Sequence, residues 1–285
     1  HWNEKWTPDE WNRRPQYEFS HGYALLIGVG NNQFESRWSL PVSVQDATKV
    51  YQVLNDPNRC AYPRHQIHLL HDGMATAERI RTETEWLCEQ ANRDPEATIV
   101  FYFSGHGWQS AKGEYALIPH DANPDQFEST ILWGKEISEL LHAISAQRLL
   151  VILDTCHADG VVQLDNENMP KPIGFSQVIA PQTIFADLRR GTGRIVLSSA
   201  GKDQKSYPLR DESASIFTYH LIEALSGNAN KPEDKLVMVS DVIKHLTKQV
   251  QESVSREYQR SQTPQSDWKG EDFAIALLSG GKRQN

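Results

Sequence analysis

Apolar runs of strand length alternate with segments of helical period along most of this chain, and that alternation narrows the fold more than any other feature. "YALLIGVG" (23–30) is a continuous apolar run closed by glycines, as in a strand buried on both faces. "SVQDATKVYQVLND" (43–56) follows with apolar residues at 47, 50, 53 and 54, the spacing of one helix face. "QIHLLH" (66–71) predicts a second strand, and "TAERIRTETEWLCEQAN" (76–92) a helix with Thr76 as its N-cap. "ATIVFYFSG" (97–105) is a third strand, rich in β-branched and aromatic residues, and "EYALIP" adds a short one. "GKEISELLHAIS" (134–145) is helical by its spacing, and "RLLVILD" (148–154) and "RIVLSSA" (194–200) are the fourth and fifth strands. "SIFTYHLIEAL" (215–225) and "VSDVIKHLTKQVQESV" (239–254) predict two more helices, and "DFAIALL" (272–278) a last strand. Strands alternating with helices imply a mostly parallel sheet covered on both faces. Such sheets carry their working site at the carboxyl ends of the strands.

The whole chain sets outer limits. Its 285 residues are ample for one large core. The 29 Lys and Arg against 37 Asp and Glu give a net charge of −8, which argues against nucleic acid as a partner. No run approaches the roughly 20 apolar residues of a membrane span. The first 20 residues are polar and aromatic rather than a signal peptide. The chain opens on His1 rather than Met, as a fragment or a processed product does. Its three cysteines, Cys60, Cys88 and Cys156, contain no CxxC and argue against a disulfide framework. A reducing, cytoplasmic setting is expected.

Two strand ends stand out: "FSGHG" after the third strand and "LDTCHADG" after the fourth. Both should emerge at one sheet edge, with adjacent strands only about 5 Å apart. His106 and Cys156, 50 residues apart in sequence, should therefore meet. Cys156 can be read as an inert thiol ending a core strand, as a metal ligand beside His157, or as a nucleophile. The adjacent Cys156 and His157 lack the spaced ligand pairs typical of zinc sites. A nucleophile needs a base, and His106 between two glycines can be presented sharply. Cys156 would attack, His106 would take and return the proton, and the N–H groups of Gly107 and Cys156 would hold the oxyanion. His157 follows the nucleophile directly and reads as a supporting residue. His65, His68 and His71 read as ordinary surface or core residues, and "GVGNNQ" lacks the closing glycine of a dinucleotide loop. The segment 158–193 carries three prolines and is far longer than the usual connection of about 4–6 residues.

"YFSGHG" followed about 50 residues later by "DTCHADG" resembles the caspase-like cysteine peptidases of clan CD, family C14. Within them it is most similar to the metacaspase and bacterial caspase-like branch. Asp154-Thr155-Cys156-His157 is close to the DxCHSG pattern of metacaspases, with Ala158-Asp159-Gly160 in place of the Ser-Gly ending. "LPVSVQDATKVYQVL", "YALIPHD" and "QTPQ" (262–265) extend the likeness from about residue 20 to 280. The resemblance implies a caspase-like three-layer α/β/α sandwich with a mostly parallel central sheet. The expected layout is an N-terminal extension (1–19), one peptidase domain (20–280) with 158–193 as an activation or processing loop, and a tail (281–285).

The resemblance further implies a cysteine endopeptidase acting through a Cys156–His106 dyad. In metacaspases an acid two residues before the cysteine helps to form an acidic pocket for the residue preceding the scissile bond. Asp154 matches it, and Asp203 matches a second acid after the next strand, so cleavage after Arg or Lys is expected. Caspases instead bind aspartate with arginines, and Arg37 and Arg210 lie in roughly those places. Arg189 and Arg190 in "DLRRGTG" would be self-processing sites of a zymogen cut by a basic-specific enzyme. No cofactor is required, while calcium activation, known for several metacaspases, stays open because acids are plentiful near 121–128 and 203–212. Expected partners are a protein or peptide substrate and an upstream activating protease or sensor, with no nucleic acid and no membrane. Bacterial relatives act in cell-death and antiviral defence. The alternative is a catalytically inactive scaffold or regulator.

Overall fold

The computed structural model describes residues 18–110, 112, 114–155, 193–201 and 204–278. In chain order its elements begin β1 (Gly22–Gly28), α1 (Val42–Asn55), β2 (Ile67–His71), α2 (Ala77–Arg93) and β3 (Thr98–Gly105). Then come β4 (Gly107–Gln109), β5 (Tyr115–Leu117), α3 (Phe127–Thr130), β6 (Leu132–Trp133), α4 (Gly134–His142) and β7 (Arg148–Thr155). The remainder is β8 (Arg194–Ser198), α5 (Ile216–Glu223), β9 (Leu236–Met238), α6 (Val239–Tyr258), β10 (Gln265–Lys269) and β11 (Ala274–Leu277). Three-residue 3-10 turns, among them Ser36–Trp38, join several of these.

Six strands form the central sheet in the order β10-β8-β7-β3-β1-β2, parallel except for β10, which runs antiparallel to β8. Side chains alternate across each strand. Leu26, Val100, Tyr102, Leu150 and Ile152 pack with the apolar faces of α1, α5 and α6. Leu25, Phe101, Phe103, Val151 and Leu153 point the other way, onto α2 and α4. The fold is thus the three-layer α/β/α sandwich that the alternation and the resemblance imply. Phe101, Tyr102 and Phe103 are all essentially fully buried. Burial of each stabilises by roughly 2 kcal/mol, which explains why "IVFYF" contains no polar residue.

The helix starts follow their caps. Thr76 Oγ1 accepts from the N–H of Arg79 at 3.2 Å, and Ser215 Oγ accepts from that of Thr218 at 2.9 Å. The first strand ends at Gly28, two residues before the end of the apolar run. A Cβ on Gly28 would lie 2.5 Å from the Ser43 carbonyl oxygen. This close approach sets the first turn of α1 directly on the strand end.

Three features depart from the sequence expectation. β10, "QSDWK", has no apolar run because it is an antiparallel edge strand, which need not be apolar. β11 leaves the main sheet and pairs antiparallel with β9; "DFAIALL" is apolar because Phe273, Ile275 and Ala276 join the core around α6. β4, β5 and β6 form a small antiparallel sheet beside the end of β3. Among the described residues no helix is long and apolar enough to cross a membrane.

Candidate active site

The site is built on one register. β3 and β7 pair in parallel with Ser104 opposite Asp154 and Gly105 opposite Thr155. His106 is the next residue after one of these strands, and Cys156 the next after the other. Cys156 itself lies outside the described residues, as do His157, Asp203, Arg189, Arg190 and almost all of the segment 158–193.

His106 is 2% exposed. Its Nε2 lies 3.1 Å from the backbone carbonyl oxygen of Trp38. A carbonyl only accepts, so Nε2 carries a hydrogen. In the neutral ring Nδ1 is then the basic nitrogen. The backbone holds the ring from behind: the N–H of Ile118 donates to the His106 carbonyl at 3.0 Å, and Gly107 enters β4 opposite Leu117. Trp38 is fixed in turn. It ends the 3-10 turn that Glu35 caps, and its ring packs edge-on against Phe127 at 5.7 Å in a cluster with Trp108, Ala116 and Ile118.

Asp154 is fully buried. Its carboxylate accepts from Ser215 Oγ, from Thr218 Oγ1 at 2.8 Å and from Ser206 Oγ at 3.3 Å. Because the Thr218 hydroxyl donates to Asp154, its 2.7 Å contact with Tyr102 is one in which the phenol donates. A second acid lies alongside. Asp46 on α1 is also fully buried, and accepts from the N–H of Ser215 at 2.9 Å and from Ser104 Oγ at 3.2 Å. Ser215 therefore touches both acids, at the N-terminus of α5 where free N–H groups favour negative charge. Burial, and then the charge of Asp154, push the Asp46 carboxyl well above the usual carboxylate range. The buried hydroxyl of Ser43, one turn before Asp46, has no hydrogen-bond partner.

The segment after β8 is pinned from the far end of the chain. Gln262 is fully buried; its amide donates to the Ser199 carbonyl at 2.8 Å and to Ser206 Oγ at 3.3 Å, and accepts from the N–H of Tyr207 at 3.0 Å. The "QTPQ" stretch thus holds Ser206 against Asp154. Arg37 pairs with Glu35, and Arg210 lies over the Tyr258 ring at 4.0 Å and donates to the Glu257 carbonyl. Of the acids near 121–128, Asp121 serves locally: it accepts from the N–H of Ala77 at 2.8 Å, at the start of α2. Among the described residues, the acids of 121–128 and 204–212 form no group of three able to hold one ion.

Residues 21–269 match the caspase domain of peptidase family C14. The chain belongs to that family. Solved structures agree on the fold. A protein from Geobacter sulfurreducens superposes with a TM-score of 0.56 at 17% identity, over 88% of this chain and 94% of that one. Caspase-1 from Spodoptera frugiperda gives 0.54 at 13%, over 94% and 93%. Its pro-form gives 0.50 at 13%, over 95% and 94%. No curated protein matches the sequence. Membership places the chain in a family of cysteine peptidases, whose substrates are proteins.

Within this caspase domain, the sequence pointed to His106, Gly107 and Asp154, and the structure brings all three to one end of the sheet. Sequence reasoning missed Trp38, which acts through a backbone carbonyl that no side chain announces. It also missed Asp46. A signal for Asp46 was present: it stands one and two turns before Val50 and Val53, an acid on the apolar face of its helix.

Proposed function

We propose that this caspase-domain protein is a cysteine endopeptidase that cleaves after Arg or Lys. The observation that carries the reading is the Gly105–Thr155 register, after which His106 and Cys156 each follow as the next residue on adjacent parallel strands. The Nε2 bond to Trp38 leaves Nδ1 as the nitrogen that takes the Cys156 proton. The thiolate sulfur bonds to the scissile carbonyl carbon, with the N–H groups of Gly107 and Cys156 as donors to the oxyanion. The C–N bond then breaks, and the imidazolium returns its proton to the leaving amine. Water, deprotonated by the same imidazole, releases the acyl group and restores the thiol.

Asp154 and Asp46 support the preference for a basic residue. Two buried carboxylates side by side make an acidic site, and a guanidinium or ammonium is the ligand such a site favours. In this reading Asp46 is a further acid of the pocket, beside Asp154 and the Asp203 expected from the sequence. Arg189 and Arg190 are then sites the enzyme can cut in itself, and a calcium dependence would act elsewhere than on the acids of 121–128.

The test is covalent labelling by an arginyl chloromethyl ketone. Cys156 should be alkylated, with labelling lost in Cys156→Ala and in His106→Ala. An unlabelled wild-type protein that also fails to cleave any member of a peptide library would support the inactive scaffold instead.

A further inference from the structure

Far from the strand ends, α5 and α6 bring together a second set of chemistry-bearing side chains. His220 and Glu223 stand three residues apart on α5, and His245 faces them from α6. His220 Nδ1 lies 2.5 Å from Glu223 Oε2, and His245 Nε2 lies 3.3 Å from the same oxygen. One ligand atom from each of the three falls within 4.8 Å of the others. We propose that His220, Glu223 and His245 form a binding site for a zinc-class divalent transition metal ion that ties α5 to α6.

The donor set selects the ion. Two imidazoles and one carboxylate suit zinc and its neighbours, whereas calcium and magnesium need several oxygens. The geometry is close to what such an ion requires. Two tetrahedral ligands at about 2.0–2.1 Å from a zinc ion are about 3.3 Å apart, which is the separation between His245 and Glu223. The His220–Glu223 contact has to open by less than about 1 Å on the same geometry, and the two imidazole nitrogens, within 4.8 Å of each other, have to settle at the same separation. The outer partner of His220 is already in place: its Nε2 is 2.8 Å from Ser253 Oγ, and Ser253 is buried. A second ring nitrogen held this way aims the first at the ion.

Access is also present. The side chains of His220 and His245 are 7% and 12% exposed, and that of Glu223 is 27% exposed. Glu223 lines a cleft between α1 and α5, together with Lys49, Gln52, Asp56 and Tyr219. The cleft gives an ion its way in and leaves room for water as the fourth ligand.

The site lies one helix away from the acids of the active site. Ser215 and Thr218, which hold Asp154, belong to the N-terminal part of the helix whose C-terminal part carries His220 and Glu223. An ion there fixes α5 at both ends.

The test uses the full chain as Cys156→Ala, so that no thiol beside His106 contributes a second zinc site. Zinc chloride titrated calorimetrically into this protein should bind at one equivalent. At about a hundredfold excess over the dissociation constant, the melting midpoint should rise by roughly 5 °C or more. His245→Gln on the same background should weaken zinc binding at least tenfold and leave the metal-free midpoint nearly unchanged. Absence of saturable binding up to about 100 dissociation constants of a typical micromolar site would overturn the proposal. So would binding and stabilisation that persist undiminished in His245→Gln, which would put the zinc elsewhere on the chain.

Discussion

The two ends of α5 treat buried negative charge in opposite ways. At its start, Asp46 and Asp154 are answered by the hydroxyls of Ser104, Ser206, Ser215 and Thr218 and by one helix N–H. Burial, and then the neighbouring acid, hold the Asp46 carboxyl high. At its end, Glu223 is half-buried, and two imidazoles outweigh that burial and bring its carboxyl down to about 2. This contrast is why the first end reads as a specificity pocket and the second as a tie between helices.

The largest effect should come from removing the outer charge of the pair. Asp154→Asn keeps the shape and hydrogen-bonding capacity but loses the charge-assisted contact. It should lower kcat/KM on peptides with Arg before the scissile bond by about 10²–10³-fold, and Asp154→Ala should abolish their cleavage. Peptides ending in Asp or Leu should be no better substrates than before. An Asp154→Ala enzyme that remained fully active on Arg peptides would end the pocket reading, and with it the distinction between the two ends.

Asp46→Asn should come next. In the unfolded chain this carboxyl ionises near pH 4; in the folded chain it does so at higher pH. The folded protein therefore binds more protons between these values. Its contribution to stability is whole below about pH 4 and is lost as pH rises through the raised folded value. Asp46→Asn removes that loss, so urea melts at pH 7.5 should show a gain in stability that shrinks toward zero at pH 4. Activity on Arg peptides should fall by about tenfold at the same time. Equal stability of the two proteins at every pH would mean that Asp46 and Asp154 are not competing for one proton.

The same contrast explains what was legible in the sequence. β1, β3 and β7 are apolar on both faces, so each announced itself as a continuous run, and the residues that follow them were found at once. β10 was hidden because an edge strand can be polar, and β9 because three residues carry no period. His106 and Asp154 lie at strand ends, where a polar residue after an apolar run stands out. Asp46 lies within a helix whose charged residues draw no notice, and only its phase with Val50 and Val53 gave it away. His220, Glu223 and His245 converge from two helices, and no spacing in one dimension reports the packing angle that joins them. The His106–Trp38 bond uses a main-chain oxygen, which every residue has.

The last prediction sharpens the comparison most, because it sets one serine against another. Ser215 caps α5, donates to Asp154 through its hydroxyl and to Asp46 through its N–H. Ser215→Ala keeps the N–H but loses both hydroxyl roles, a helix cap and a bond to a buried acid. It should cost about 2–3 kcal/mol at neutral pH. Ser253, at the other end, meets the ring of His220 and the guanidinium of Arg256. His220 keeps its stronger contact with Glu223 when that hydroxyl is gone, so Ser253→Ala should cost about 1 kcal/mol or less in metal-free protein. Urea melts of the two variants in a chelating buffer measure the difference. The two costs diverge only if the acids at the start of the helix depend on hydroxyls, while the acid at its end depends on imidazoles. Equal costs would mean that both ends are held by ordinary packing and that the opposite treatment of charge does not govern their stability.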